Sequence, residues 1–348
     1  MNLKQKIEFF KIFHLIKFSQ EYLIKIFHPE DKMRCPIHFC LGQEVLAACL
    51  YFFLKKNDML LSHHRSHGYY LAKKCPLDKM IAEFYGKANG SNSGLAGSQE
   101  LSYTKNNFFS GTILSGMFSM ALGTSFAQKI NNNSNNITVT VIGDGGMEEG
   151  IVYETLNLAS LKSLPILFVC ENNRYSVHTH ISKRTLIFNF KNKIKAFGIK
   201  YLNISEYNPE NIFQKMEEIF SYVRKKRKPI FLEFDTMRSC GHVGPENDDE
   251  EFNYRNKDLL YWKKRDSFKT LNSLLLKSNS LKHLITIERS NENKVIQAVQ
   301  KARKGSFLNY KKSIKFNFIK SYSKIIKNFS KPSKNFYRKQ KETKLNPY

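Results

Sequence analysis

Ile137-Thr138-Val139-Thr140-Val141-Ile142-Gly143-Asp144-Gly145, with its continuation to Glu171-Asn172-Asn173-Arg174-Tyr175, decides how this chain folds. The first six residues are almost all β-branched, as in a strand buried on both faces. From Glu148 to Ser163, Ile151, Leu156, Leu158, Ala159 and Leu161 recur at roughly helical spacing, and Pro165 opens a second apolar run, Ile166 to Cys170. The pattern predicts a strand–helix–strand unit and an α/β protein. Such a crossover makes its strands parallel, so both carboxyl ends emerge on one edge of the sheet. Asp144 and Asn173 are therefore expected side by side on that edge.

Open α/β sheets bind ligands in the crevice at such an edge, and glycines flanking an acid let backbone amides approach a phosphate. A carboxylate, an amide carbonyl and a backbone carbonyl are hard oxygen donors that suit Mg²⁺, whose shell substrate phosphates commonly complete. Taken singly, Asp-Gly and Asn-Asn are ordinary turn chemistry after strands. At the two ends of one crossover they favour a metal–diphosphate site.

Gly143-Asp144-Gly145 followed by Asn172-Asn173 resembles the thiamine-diphosphate motif, and Glu171-Asn172-Asn173-Arg174-Tyr175 is similar to the form in α subunits of 2-oxo acid dehydrogenases, the decarboxylating component of pyruvate dehydrogenase-like complexes. Further matches lie in order along the chain: Gly42-Gln43-Glu44, His64-Arg65-Ser66-His67-Gly68, Gly94 to Ser98, and Arg238 to His242. The resemblance implies a thiamine-diphosphate-binding fold, with a mostly parallel sheet and helices on both faces. It implies thiamine diphosphate and Mg²⁺ as cofactors. Asp144 and Asn173 match the side-chain metal ligands, and Tyr175 the residue whose backbone carbonyl completes the set. Gly145 and Gly146 match positions bringing N–H groups to the diphosphate, and Arg65 matches a phosphate-binding arginine, whose fork of donors fits paired oxygens. His64 stands where tyrosine is usual, so that contact is altered. Thr112 falls where the backbone bonds the aminopyrimidine ring, and Leu114 on the apolar position that keeps the cofactor bent. Leu114, Met117, Met120 and Ala121 at helical spacing read equally well as plain core.

The resemblance implies His242, by its place in Arg238-Ser239-Cys240-Gly241-His242, and with less weight His67, whose loop could position phosphate instead, as the acid/base candidates; an imidazole beside the reacting oxygen exchanges protons near neutral pH. The cofactor supplies the carbanion that attacks the 2-oxo carbon and releases CO₂. Three departures bear on substrate and regulation. Val243 follows His242 where eukaryotic members carry a phosphorylatable serine, so control by phosphorylation there is not expected. Gly244 to Glu251 is unusually acidic for a pyruvate enzyme, and Gly146-Met147-Glu148-Glu149-Gly150 is an uncommon variant.

The remaining chain suits an enzyme domain over residues 1–305 and a basic extension, partly helical and then disordered, over 306–348. Helices are expected over Met1–Phe27, Glu44–Leu54, Gly111–Ala127, Glu210–Val223 and Asp258–Lys277, with Trp262 packing back on the core. Strands are expected at Met59–Leu61, Ala196–Ile204 and Ile230–Asp235, and Asn131–Asn136 reads as a polar loop. Arg224 to Lys228 places cations where a helix C-terminus favours them. Of the formal net charge of +26, residues 301–348 hold fifteen Lys and Arg against one Glu, a net of +14. Phe316 to Phe329 interleaves aromatics with lysines as in a basic amphipathic helix. Such a tail could grip an acidic subunit, anionic lipid or nucleic acid, but Lys, Asn, Ile and Phe rise together as an AT-rich genome would produce, and nucleic acid is not expected as a partner. Six cysteines without metal-type spacing, no leader and no bilayer-length apolar run point to a soluble protein of the cytoplasm.

A chain of this length has room for the diphosphate-gripping domain alone. The resemblance therefore implies a β subunit carrying the pyrimidine-binding domain, most simply in an α2β2 tetramer, and a lipoyl-bearing acyltransferase that receives the acyl group from a small 2-oxo acid. An acyloin or acetoin dehydrogenase, or a carboligase subunit, is the alternative. A non-catalytic basic binding protein is weaker, since the ligand set Asp144, Asn173 and Tyr175 is complete.

Overall fold

The computed structural model describes residues 1–27, 33–130, 135–186, 189–246, 255–277 and 280–309. Its strands are β1 (Met59–Ser62), β2 (Ser102–Tyr103), β3 (Phe108–Ser110), β4 (Thr138–Gly143), β5 (Ile166–Asn172), β6 (Tyr175–Ser176), β7 (Thr179–His180), β8 (Lys200–Ile204) and β9 (Ile230–Asp235). Seven of them form one sheet in the order β2-β3-β1-β4-β5-β9-β8, and β6 and β7 form a small hairpin. Every neighbouring pair of the large sheet is parallel except β2–β3. Gly143 pairs with Glu171 and Asn172 with Asp235, so β4, β5 and β9 end together. The chain leaves β1 toward β3 on one side and returns as β4 on the other. That reversal opens a crevice at the carboxyl ends, where α/β sheets take their ligands.

The helices are α1 (Leu3–Lys25), α2 (Glu44–Phe53), α3 (His67–Ala72), α4 (Leu77–Phe84), α5 (Gly116–Ile130), α6 (Gly150–Leu161), α7 (Phe190–Lys195), α8 (Pro209–Lys226), α9 (Asn256–Lys263), α10 (Ser267–Leu276) and α11 (Leu281–Lys304). They cover both faces because successive strand residues point opposite ways. Leu167 and Val169 join a core with α1, α2 and α8, whereas Ile166, Phe168 and Cys170 join a second core with Phe118 of α5 and Leu156 of α6. All of β5 is buried, which accounts for its unbroken apolar run. Among the described residues, no helix is long and apolar enough to cross a membrane. The chain divides into the units Met1–Ser306 and Phe307–Tyr348. Most of the second, including the stretch read as a basic helix and tail, lies outside the described residues, as do Asn131 to Ser134 and the acidic residues 247–251.

Several boundaries differ from expectation for physical reasons. The Asp258–Lys277 helix is two helices, because the Asp266 carboxylate accepts from the backbone N–H groups of Phe268 and Lys269 at 2.9 and 3.0 Å and caps a new one. The anchoring expected of Trp262 falls to Phe268, whose ring lies 5.3 Å from those of Phe10 and Phe13. The strand expected from Ala196 is confined to Lys200–Ile204, after a turn in which Gly198 has φ of +70°. The helix expected from Gly111 begins at Gly116. Arg224 does more than answer the dipole of α8: its guanidinium pairs with buried Asp58, which also accepts from the Ile137 N–H at 3.0 Å and so fixes the start of β4.

Gly42 has φ of +91°, and a Cβ there would lie 2.4 Å from the Met237 carbonyl oxygen. This close approach ties the turn before α2 to the segment after β9. Gly42 also donates its N–H to Glu44 at 2.9 Å, yet burial pushes the Glu44 carboxyl up to about 7. A carboxyl raised on folding stabilises fully below its unfolded value, and the contribution is lost as pH rises through the folded value. Glu44→Gln is therefore expected to gain about 3 kcal/mol on the wild type between about pH 4.5 and about pH 8. Urea denaturation across that range checks it; parallel curves for the two proteins would refute it.

Candidate active site

Five strand ends, those of β1, β3, β4, β5 and β9, converge on one cavity of about 350 Å³, with Thr112 and Leu114 following β3. His63, His64 and Arg65 arrive from β1, Asp144 to Gly146 from β4, Asn173 and Tyr175 from β5, and Arg238 and His242 from the segment after β9. Every residue to which the resemblance assigned a cofactor contact lines this cavity: His64, Arg65, Thr112, Leu114, Asp144, Gly145, Gly146, Asn173, Tyr175 and His242. His67 is not brought there. It is fully buried at the start of α3, with Nδ1 2.9 Å from the Gln20 side-chain oxygen and its ring against Phe84. Burial holds His67 down at about 3, so the imidazole is neutral and its surroundings are those of a packing residue.

Asp144 is 1 % exposed and opens the short 3₁₀ helix, Asp144–Glu148, that follows β4. Burial raises its carboxyl above the usual range, while the Arg184 guanidinium and the backbone N–H groups of Asp144 and Asn173 pull the other way. The Asn173 side-chain oxygen accepts the Tyr175 N–H at 2.9 Å, fixing the turn that carries Tyr175, whose hydroxyl donates to Asp258 at 2.7 Å. Asp144 and Asn173 thus offer oxygens to one cavity wall, the donor type Mg²⁺ requires. A Cβ on Gly146 would lie 2.5 Å from two carbons of the Ile142 side chain. A Cβ on Gly145 would lie 2.7 Å from the Ser176 Oγ, so neither glycine has room for a side chain beside a diphosphate. The residues present therefore fit both groups.

Arg184 and His38 carried no local signal, and the motifs that named Arg65 and Arg238 did not give their partners. Arg184, on the connection after β7, pairs with both Asp144 and Glu148. Arg65 was expected on phosphate, but its guanidinium donates to the Phe39 carbonyl and, at 3.0 Å, to that of His242. Arg238 donates to the Cys240 carbonyl at 2.9 Å, and Arg255 reaches the same oxygen at 2.9 Å. These buried arginines fix the loop bearing His242. The Arg65 N–H donates to His63 Nδ1 at 3.0 Å, which leaves the ring proton on Nε2 for Glu171 at 3.0 Å. His38 and Gln99 complete the wall. Leu114 is 43 % exposed on the cavity, so the core reading fails for it and for Met120, also exposed; Ala121 alone of that set is fully buried.

The dehydrogenase E1 component family matches residues 24–311. Among curated proteins, the α subunit of the pyruvate dehydrogenase E1 component from Rickettsia typhi is 31 % identical over 267 residues, covering 76 % of this chain and 80 % of that protein. The corresponding mitochondrial subunit of Dictyostelium discoideum is 28 % identical over 269 residues, 76 % of this chain and 70 % of its own length. The α subunit of the acetoin:2,6-dichlorophenolindophenol oxidoreductase of Bacillus subtilis is 28 % identical over 267 residues, 76 % and 78 % of the two chains. With the sheet-edge cavity and its oxygen donors already in place, these matches identify the chain as a member of the dehydrogenase E1 component family of oxidoreductases.

Proposed function

We propose that this chain is the α subunit of a thiamine-diphosphate-dependent 2-oxo acid dehydrogenase, pyruvate dehydrogenase-like, that decarboxylates a small 2-oxo acid and passes the acyl group to a lipoyl carrier. The observation that carries the reading is the joint placement of Asp144, Gly146, Asn173 and Tyr175 on one cavity wall at the ends of adjacent parallel strands. Asp144, Asn173 and the Tyr175 carbonyl would hold Mg²⁺, and Gly145 and Gly146 the diphosphate. When bound, the cofactor supplies the carbanion that attacks the oxo carbon. His242, whose carbonyl accepts from Arg65, would exchange a proton with the reacting oxygen. Leu114 offers an apolar wedge at the mouth. His67, behind the wall, positions rather than reacts. The six free cysteines agree with a reducing cytosol.

The other half of the catalytic centre comes from a β subunit, in an α2β2 tetramer. Support comes from the uncovered apolar face on α5 and α6, where Phe126, Ile130 and Leu161 are 42 %, 65 % and 71 % exposed. Phe126→Glu combined with Leu161→Glu is expected to weaken assembly by about 10–30-fold while the lone chain keeps its helicity. Analytical ultracentrifugation of the mixed subunits measures this; unchanged association would remove the face from the interface.

The function itself is tested by combining the full chain with a candidate β chain and a lipoyl domain, and following CO₂ release from pyruvate and reductive acylation. Turnover by this chain alone would refute the two-subunit reading. Cleavage of acetoin without CO₂ release from pyruvate would select the reading that the Bacillus relative's name suggests.

A further inference from the structure

The cavity holds a second constellation, unlike the oxygen donors. His38, His64 and His242 each bring a ring nitrogen within 4.8 Å of the other two. Their ring centroids are 4.7, 5.0 and 5.5 Å apart, with interplanar angles of 69°, 84° and 65°. The rings therefore converge at steep angles instead of stacking. Three such nitrogens around a Zn²⁺-sized ion lie about 3.3 Å apart, so closing the cluster needs ring shifts of about 1 Å.

We propose that His38, His64 and His242 form a binding site for a divalent transition ion of the Zn²⁺ class inside the cavity, and that filling it blocks the enzyme. The chemistry is selective. Imidazole nitrogens suit Zn²⁺, Co²⁺ and Ni²⁺ but not Mg²⁺, which requires oxygen. Burial keeps His38 and His64 unprotonated at neutral pH, leaving lone pairs to donate. The Gln99 side-chain nitrogen lies 3.2 Å from Nδ1 of His38, so ligation through the other ring nitrogen requires the Gln99 carboxamide to turn over and accept from Nδ1–H. The same cavity is lined by Arg65 and Arg238 and by Asp144 and Glu171, with Asp144 paired to Arg184. An ion held by His242 withdraws the imidazole that the proposed reaction requires. This inhibitory half rests on the proposed function; the binding half does not.

Co²⁺ titrated into the full chain gives the test by visible absorption. One equivalent is expected to produce the intense d–d bands of a tetrahedral site, unaffected by excess Mg²⁺. His64→Tyr and His38→Gln are each expected to weaken binding by about 100-fold or more, since even outer partners of a ligand are worth about 10–100-fold. His283→Ala, on the exposed face of α11, keeps the bands, and circular dichroism establishes that the cavity variants are folded. Absent saturable binding, a signal unchanged by both cavity substitutions, or a thiolate-to-cobalt band would overturn the site. In the assembled enzyme at saturating Mg²⁺ and cofactor, Zn²⁺ is expected to inhibit the wild type at lower concentration than His64→Tyr. Equal sensitivity would overturn the inhibitory half, whereas an inactive assembly with intact Co²⁺ bands would count against the proposed function alone.

Discussion

Asp144→Asn is expected to abolish magnesium-dependent uptake of thiamine diphosphate while leaving the fold close to wild type. The side chain keeps its volume and one carbonyl oxygen, and the Arg184 guanidinium retains Glu148 as an ionic partner. The variant therefore avoids the penalty of an unpaired buried cation. What it loses is the anionic oxygen that a dication needs beside the negative charge of a diphosphate. A loss of about 4 kcal/mol, or about 1,000-fold in affinity, is the scale. Calorimetry on the assembled complex, with and without Mg²⁺, reads it directly. Affinity retained within about tenfold of wild type would move the metal elsewhere and remove the central support of the proposed function.

His242→Gln should separate chemistry from binding. The Arg65 bond goes to the His242 carbonyl, so the substitution leaves the anchoring of the loop in place. The Met237–Gly42 contact and the bond from Ser239 N–H to the Leu41 carbonyl at 2.9 Å are likewise untouched. The turnover number is expected to fall by about 10²–10⁴-fold, the usual worth of a positioned acid/base group, while cofactor affinity falls by less than about tenfold, as for the loss of one contact among the ten assigned. A variant that keeps its turnover, or loses cofactor and rate together, would assign His242 to cofactor binding instead.

The sequence carried the fold wherever neighbours in the chain are also neighbours in space. The β-branched run before Asp144 and the apolar run before Asn172 are strands, and Ile230–Asp235 has the boundaries expected of it, because a strand buried on both faces needs no tertiary information to be recognised. The cavity was legible for the same reason: strand-end loops of a parallel sheet meet at one edge, whatever lies between them. Arg184 and His38 were not legible, since the one reaches Asp144 and the other the cavity from segments whose local composition is unremarkable. The partners of Arg65 were hidden too, because a motif gives a guanidinium's address and not the carbonyls that will claim it. Leu114 misled in the opposite sense. Its spacing is that of a core helix, but Ser115 adopts φ of +62° and Gly116 starts the helix late, which turns the leucine outward onto the cavity.

The seam between residues 37–42 and 236–244 governs when this protein becomes competent during synthesis. Thr236 bonds the Gly42 carbonyl across 194 residues of chain, and the Gly244 N–H reaches the Ile37 carbonyl at 2.9 Å. Contacts so distant in sequence form last, because the intervening polypeptide must be ordered before its ends can meet. On the ribosome, the amino-terminal segment of that seam waits until residue 244 has emerged. Fragments truncated before residue 244 should therefore accumulate helices and the central strands while lacking a finished pocket, and a nascent chain cannot capture the vitamin prematurely.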